Sequence, residues 1–278
     1  MTIRKIDAHQ HFWKYNQSEY GWMGEDEHIL KRDFLPDNLF EELAKISYNG
    51  SIAVQVRQSL EETRWLLELA EQYKEILGVV GWVDLQSHDI ENELDEFAGN
   101  RWLKGVRHIL QDEPDDKFML QPDFVNGISK LAERDLLYEI LIFPKQLSAA
   151  IELVSLFPKQ QFVLDHIAKP DIRNGKISEW TKGIEEISSF PNVSIKVSGM
   201  VTEADYKNWK PADFQPYLEL VLHTFGEDRI LLGSDWPVCL LAASYSQVMC
   251  LAEGFFEKAG QEAMAKTQGG NAIRIYRL

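Results

Sequence analysis

Lys5-Ile6-Asp7-Ala8-His9-Gln10-His11-Phe12-Trp13 alternates apolar and polar residues over the length of a strand, then runs directly into a long loop. Seven further strand-length runs follow: Gly50–Arg57, Ile76–Leu85, Leu103–Leu110, Leu137–Pro144, Gln161–Pro170, Val193–Met200 and Arg229–Val238. Amphipathic stretches separate most of them. Glu61–Tyr73 places Trp65, Leu66, Leu69 and Ala70 on one face, Pro216–Phe225 begins with a proline and stops at Gly226, and a helix is expected to open at Pro36-Asp37. Strands alternating with helices, with no strand-only block, predict a parallel α/β sheet. An open doubly wound sheet would want a glycine-rich phosphate turn after an early strand, and the first run ends instead in His11-Phe12-Trp13. Eight strands close a (β/α)8 barrel. No internal repeat, low-complexity tract or Pro/Gly/Ser linker divides the chain, so a single domain over residues 1–278 is expected.

The length of 278 residues is close to the roughly 250 usual for such a barrel. Apolar residues at 45% and charged residues at 26% describe a folded chain. Against 29 Lys and Arg stand 44 Asp and Glu, a formal charge of −15 that repels phosphate backbones and anionic lipid. Nucleic acid and membrane are therefore not expected as partners, although electrostatics alone names no other. The start, Met1 to Asp7, lacks the apolar segment and small-residue cleavage site of a secretory leader, and no apolar run approaches the roughly 18 residues needed to span a bilayer. Cys239 and Cys250 stand in no zinc-knuckle or CxxC spacing. Two unpaired thiols, expected buried or half-buried, suit a reducing cytoplasm.

The connection after the first strand, Lys14–Leu35, is long and rich in aromatic and acidic residues, among them Tyr15, Tyr20, Trp22 and Met23. It reads either as a functional lid or as a structural flap or subunit contact at the barrel mouth.

In a barrel, chemistry belongs at the carboxyl ends of the strands. A period of two puts His9 and His11 on one face, one rung apart, where two imidazoles suit a divalent metal or a polarised carbonyl oxygen. His166 follows the apolar run Phe162-Val163-Leu164, and Asp235 follows Ile230-Leu231-Leu232. Singly, His166 reads equally as a satisfied core histidine and Asp235 as a helix cap. Three histidines and an aspartate at three strand ends are harder to explain as packing, because buried polar groups are costly unless paired or metal-bound. His28, His88 and His223 fall on loops or helices and are expected at the surface. The acidic stretch Asp112-Glu113-Pro114-Asp115-Asp116 reads as a solvated loop, with a calcium-like cluster as the other reading.

Ile6-Asp7-Ala8-His9-Gln10-His11-Phe12-Trp13 and Gly233-Ser234-Asp235-Trp236-Pro237-Val238 resemble the amidohydrolase superfamily, and within it the amidohydrolase-related lactonase branch of sugar-lactone and pyrone-dicarboxylate lactone hydrolases. The resemblance extends through residues 54–59, 78–85, Lys104-Gly105-Val106-Arg107-His108, residues 164–170 and 196–203, essentially the whole chain. It implies a distorted (β/α)8 TIM barrel that hydrolyses a cyclic ester. His9 and His11 fall on the family's first-strand pair, His166 on its sixth-strand histidine and Asp235 on its last-strand aspartate. Binuclear relatives bridge two metals with a carboxylated lysine or a glutamate at the end of strand four, where this chain has Val106-Arg107-His108. Strand five offers only Glu139. The resemblance thus implies at most one divalent metal, zinc, on His9, His11, His166 and Asp235, and leaves open a metal-free enzyme.

On that reading Asp235 takes a proton from water and returns it to the leaving ring oxygen, while His9, His11 and His166 stabilise the oxyanion through the metal or directly. Arg57 and Arg107 are the only arginines near the expected strand ends, beside His108, too sparse for a dicarboxylate. Arg107 reads equally as a salt-bridge partner of Asp84 or Glu139. Trp13, Trp82 and Trp236 offer flat faces for sugar C–H groups or, equally, barrel-mouth packing. The expected substrate is a neutral or singly charged aldonolactone derived from fucose, rhamnose or galactose. Two other readings stand beside it: a single-metal decarboxylase of an unsaturated or aromatic acid, and a non-catalytic sugar-binding barrel.

Overall fold

The computed structural model describes residues 4–97 and 99–278. The opening Met1-Thr2-Ile3, part of the stretch read for a leader, lies outside the described residues. Eight strands lie in sequence order in one parallel sheet: β1 (Ile6–Gln10), β2 (Gly50–Val54), β3 (Ile76–Gly81), β4 (Leu103–His108), β5 (Leu137–Ile140), β6 (Phe162–Leu164), β7 (Val193–Val197) and β8 (Ile230–Leu232). Each is shorter than its apolar run, whose last residues leave the sheet and lead into the connection that follows. Between them run α1 (Pro36–Lys45), α2 (Leu60–Gln72), α3 (Ile90–Glu96), α4 (Pro122–Ser129), α5 (Leu147–Leu156), α6 (Ser178–Ser188) and α7 (Pro211–Phe225), and the chain ends in α8 (Tyr245–Ala259), α9 (Gln261–Ala265) and α10 (Asn271–Ile275). The sheet closes at the mouth. Gln10 bridges to Trp236, the His11 amide donates to the Trp236 carbonyl at 2.7 Å, and the Asp235 amide donates to the His9 carbonyl at 2.8 Å. This distorted α/β barrel is the fold expected from the alternation of strands and helices.

Local chemistry explains the helix starts. Ser59 caps α2 by accepting from the Glu62 amide, and Ser244 and Gln247 form a reciprocal capping box on α8. The helix expected to begin at Pro216 begins instead at Pro211, with Pro216 inside it. Asp213 caps the Lys210 amide at 2.7 Å, and burial of Phe214, Tyr217 and Leu218 offsets the one backbone bond Pro216 cannot make.

The barrel interior is layered. Ile6, Ala8, Ile52, Val54, Val80, Leu137, Val163 and Leu231 pack on Ala272, Ile275 and Tyr276, so α10 and the residue after it plug the amino-terminal end. The pairing of β1 with β2 slips between Asp7 and Gln10. That irregularity matters. Ile6 and Ala8 face the interior, so strict alternation would send His9 outward with Asp7; the slip turns His9 inward as well. Asp7 stays on the outer face, where its carboxylate accepts from the Ser234 amide (2.9 Å), the Ser234 hydroxyl (2.6 Å) and the His9 amide (3.1 Å). Burial pushes its pKa up to about 6 against the pull of those donors.

The long connection folds onto the barrel as a flap. Trp13 and Phe34 exchange backbone hydrogen bonds at 2.9 Å, and Tyr20, Met23 and Leu30 are buried beneath. Among the described residues no helix is long and apolar enough to cross a membrane. Cys239 is buried as expected, but Cys250 is exposed, because it lies on the outer face of α8.

Candidate active site

His9 and His11 bring their Nε2 atoms to 3.2 Å from each other, and the His166 ring lies 4.4 Å from that of His9, centroid to centroid. Asp235 Oδ1 stands 3.3 Å from His11 Nε2, 3.8 Å from His166 Nε2 and 3.9 Å from His9 Nε2. All four side chains are buried.

Two of the four sit on strained backbone. The turn after β6 holds His166, Ile167, Ala168 and Lys169 at φ of 53°, 48°, 58° and 48°, and Asp235 has φ 58°. Left-handed non-glycine residues cost on the order of 1 kcal/mol or more each and persist where surroundings hold them. Here the Trp180 indole donates to the Ile167 carbonyl at 2.7 Å, and the Ser198 hydroxyl meets His166 Nδ1 at 2.9 Å. Gly199 leaves the space: a Cβ there would lie 2.5 Å from His166 Nδ1, on backbone at φ +60°.

Below the imidazoles lies a layer of buried charge. Lys196 Nζ is 2.5 Å from Glu139 Oε2, 3.1 Å from Asp165 Oδ1 and 3.1 Å from His9 Nδ1. Arg107 donates to Asp165 Oδ2 at 3.0 Å and to the Gln55 carbonyl at 2.5 Å, and its Nη1 lies 3.2 Å from His9 Nε2. Two cations match two carboxylates, the condition for burying any of them. Burial and then the charge of Asp165 push the Glu139 pKa up; Asp165 is held well below the usual range because Lys196, His9 and Arg107 together outweigh its burial. Burial keeps His9 and His166 neutral by lowering both well below the ordinary histidine value. For Asp235, burial acts to raise the pKa, but His166, His11 and Lys169 outweigh it and hold the carboxylate ionised.

The donor set fits a divalent metal. His11 Nδ1 faces the Val54 carbonyl at 2.8 Å; a carbonyl only accepts, so that nitrogen carries a hydrogen and Nε2 is the atom that faces the cluster and could take a metal. Four ligands at about 2.05 Å around zinc lie about 3.3 Å apart; His9 Nε2, His11 Nε2 and Asp235 Oδ1 stand 3.2 to 3.9 Å from one another, and His166 Nε2 is 3.8 Å from Asp235 Oδ1. His9, His11 and Asp235 form one candidate metal-holding group, and His9, Asp165 and His166 a second.

A family model described as Amidohydrolase matches residues 6–278. The chain belongs to the amidohydrolase family. It is 38% identical to an L-fucono-1,5-lactonase of Burkholderia multivorans and 34% identical to one of Burkholderia ambifaria, in each case over 100% of this chain and 97% of the relative. A crystal structure of an amidohydrolase from Burkholderia multivorans with bound zinc superimposes with a TM-score of 0.94 at 37% identity, covering 99% of each chain.

In this amidohydrolase the other residues singled out from sequence fall in different places. Trp82 and His108 stand at the ends of β3 and β4 with the Trp82 indole 3.5 Å from His108 Nδ1; His108 stacks on Phe118 and bonds Glu113 at 2.8 Å. Arg57 is held by Glu62 at 2.8 Å and by Glu19 of the flap at 2.6 Å. Trp13 is not a substrate face. It is fully buried, and its indole donates to the Arg32 carbonyl at 2.9 Å, pinning the flap. Trp236 is buried too, edge-on to Phe34 and Phe12 where β8 meets β1. Arg107 pairs with Asp165, in place of the Asp84 or Glu139 considered from sequence: the β4–β5 register sets it opposite Glu139, but Lys196 takes that carboxylate. His28, His88 and His223 are exposed. Within the acidic stretch Glu113 is taken by His108 and Asp116 by Lys145.

Lys196, Asp165 and Lys169 are not singled out by the sequence, and Glu139 is placed there only as a strand-five carboxylate or a partner of Arg107. A charge inside an apolar strand was the available signal for Lys196 and Glu139, since such residues are buried only when paired. Lys169, 3.5 Å from Glu203, lies close enough for its charge to act on both His166 and Asp235.

Proposed function

We propose that this chain hydrolyses a small sugar lactone, an aldonolactone of the L-fucono or L-rhamnono type. The observation that carries the reading is the meeting of three imidazoles and one carboxylate at the mouth of a barrel similar along its whole length to two L-fucono-1,5-lactonases. His9, His11, His166 and Asp235 would hold a divalent ion, zinc, which when bound supplies Lewis acidity toward the lactone carbonyl.

Asp235, ionised at neutral pH, accepts a proton from the attacking water and then returns it to the ring oxygen as the ester bond breaks. Nδ1 of His11 is committed to the Val54 carbonyl, so Nε2 is the atom it presents to a metal. The Lys169 ammonium adds positive potential beside the reacting centre as charge develops. Trp82 and His108 line the substrate side, with Arg57 farther out.

The cations at the mouth argue against the decarboxylase reading. Arg57, Arg107 and Lys169 are each paired with carboxylates of this chain, which leaves an uncharged lactone the better fit than a free acid. A non-catalytic barrel gives no reason to bury this many charges. The proposal includes a cytoplasmic site of action, in keeping with two free cysteines.

The test is acid release from L-fucono-, L-rhamnono- and galactonolactones, followed with a pH indicator, for the wild type and Asp235→Asn. Hydrolysis by the wild type with a loss of about 10²-fold or more in the variant is expected. Near wild-type turnover in Asp235→Asn overturns the assigned role. CO₂ release from unsaturated acids with no lactone hydrolysed overturns the reaction.

A further inference from the structure

A cavity of about 430 Å³ lies at the end of the barrel opposite the candidate active site. It is framed by the starts of β4 and β5, the residues leading into β6, and Ile275 to Arg277 after the last helix. Its volume is within the range of small-molecule sites.

Its charge runs against that of the protein. The chain as a whole carries −15, yet this cavity is lined by Arg101, Lys104, Arg134, Lys159 and Arg277 against a single carboxylate, Asp135. Arg277 takes Asp135 at 2.7 Å, and Arg134 turns to Asp95 outside the cavity at 2.8 Å. Arg101, Lys104 and Lys159 form no ion pair among the described residues. Arg101 lies against the Trp102 ring, 4.2 Å to its centroid, and Lys104 Nζ donates only to the Arg277 carbonyl at 3.3 Å. Lys104 is half-buried, and its burial together with the charges of Arg101 and Arg277 lowers its pKa. Like charges held together in a concave site, on a surface rich in carboxylates that could have neutralised them, form a focused positive potential.

We propose that this cavity is a second ligand site, for a small molecule carrying two or more negative charges, bound by Arg101, Lys104 and Lys159. Phosphate esters and dicarboxylates share that chemistry. Guanidinium forks suit either, and the neutral lactone read for the mouth would find nothing here to balance the cations.

Isothermal titration of the zinc-loaded protein with inorganic phosphate and, separately, with succinate, at ionic strength matched with chloride, tests the site. Saturable binding at one equivalent is expected for at least one of the two, weakened tenfold or more in Arg101→Ala/Lys104→Ala. Phosphate alone would assign the phosphate-ester class, and succinate alone the dicarboxylates. Both altered side chains lie at the opposite end of the barrel from the candidate active site and hold no ion pair among the described residues, so the double variant should melt like the wild type and hydrolyse lactone at the same rate; Lys159→Ala, at an exposed residue of the same cavity, provides a second variant. No saturable binding of either anion, or an affinity unchanged in both variants, overturns the proposal and in the second case puts the anion at the mouth.

Discussion

Replacing Lys196 by methionine removes one buried cation from beneath His9 and leaves its shape nearly intact. The ammonium stands 2.5 Å from Glu139 and 3.1 Å from Asp165, with no solvent exposure on any of the three. At an effective dielectric of about 20 those contacts amount to roughly 7 and 5 kcal/mol of gross attraction. Much of that is offset because the variant no longer desolvates an ammonium, so a net loss of about 3–5 kcal/mol is expected, typical of breaking one side of a buried pair. Arg107 still neutralises Asp165. Glu139 keeps only the Tyr276 hydroxyl, and with its cation gone its already raised pKa rises further. Between the ordinary glutamate value of 4.5 and that raised value, the native state holds a proton that the unfolded chain releases, so stability falls as pH rises through the window. Wild type loses this stability too, but only up to its own Glu139 pKa of about 7, so the variant's deficit widens above that value, and urea denaturation followed by tryptophan fluorescence should show it about 1 kcal/mol larger at pH 8 than at pH 5. Adding Glu139→Gln to Lys196→Met should recover much of the pH 8 loss. A deficit under about 1 kcal/mol at pH 8, or one equal at both pH values, would refute the reasoning.

Gly199→Ala should lower stability by about 2–3 kcal/mol, because alanine is strained at φ +60° and its Cβ would drive into the His166 ring. Displacing that ring should reduce kcat by about 100-fold, and activity within threefold of wild type would show that His166 does not need its present position. Asp7→Asn leaves one acceptor where three donors converge, so denaturant unfolding should register a loss of about 1–3 kcal/mol. Dialysis against a chelator should abolish lactone hydrolysis and lower Tm, and added zinc should restore both; full activity in demonstrably zinc-free protein would remove the metal from the proposal.

The strands were legible because a barrel buries both faces of its sheet, and runs such as Ile230-Leu231-Leu232 leave little else for the chain to do. His9, His11, His166 and Asp235 could be singled out because polar residues at the ends of such runs are costly without partners. The aromatic residues misled for a related reason. Trp13 and Trp236 stand beside the motif residues in sequence, but one pins a flap and the other closes the barrel, roles that depend on Phe34 and Gln10 arriving from elsewhere. Pro216 misled because a proline inside a helix and one at its start look alike until packing shows which residues are buried.

Sequence by itself determined the eight-fold alternation and the four polar side chains at the strand ends, since those rest on local periodicity and residue type. Tertiary structure decided which way they point and what supports them. The slip in the β1–β2 pairing that turns His9 inward, the left-handed turns under His166 and Asp235, and the matching of Lys196 and Arg107 to Glu139 and Asp165 all arise only when the strands curl around one interior. Strand periodicity is a property of neighbours two residues apart, whereas pairing of buried charge is a property of neighbours that closure alone brings together.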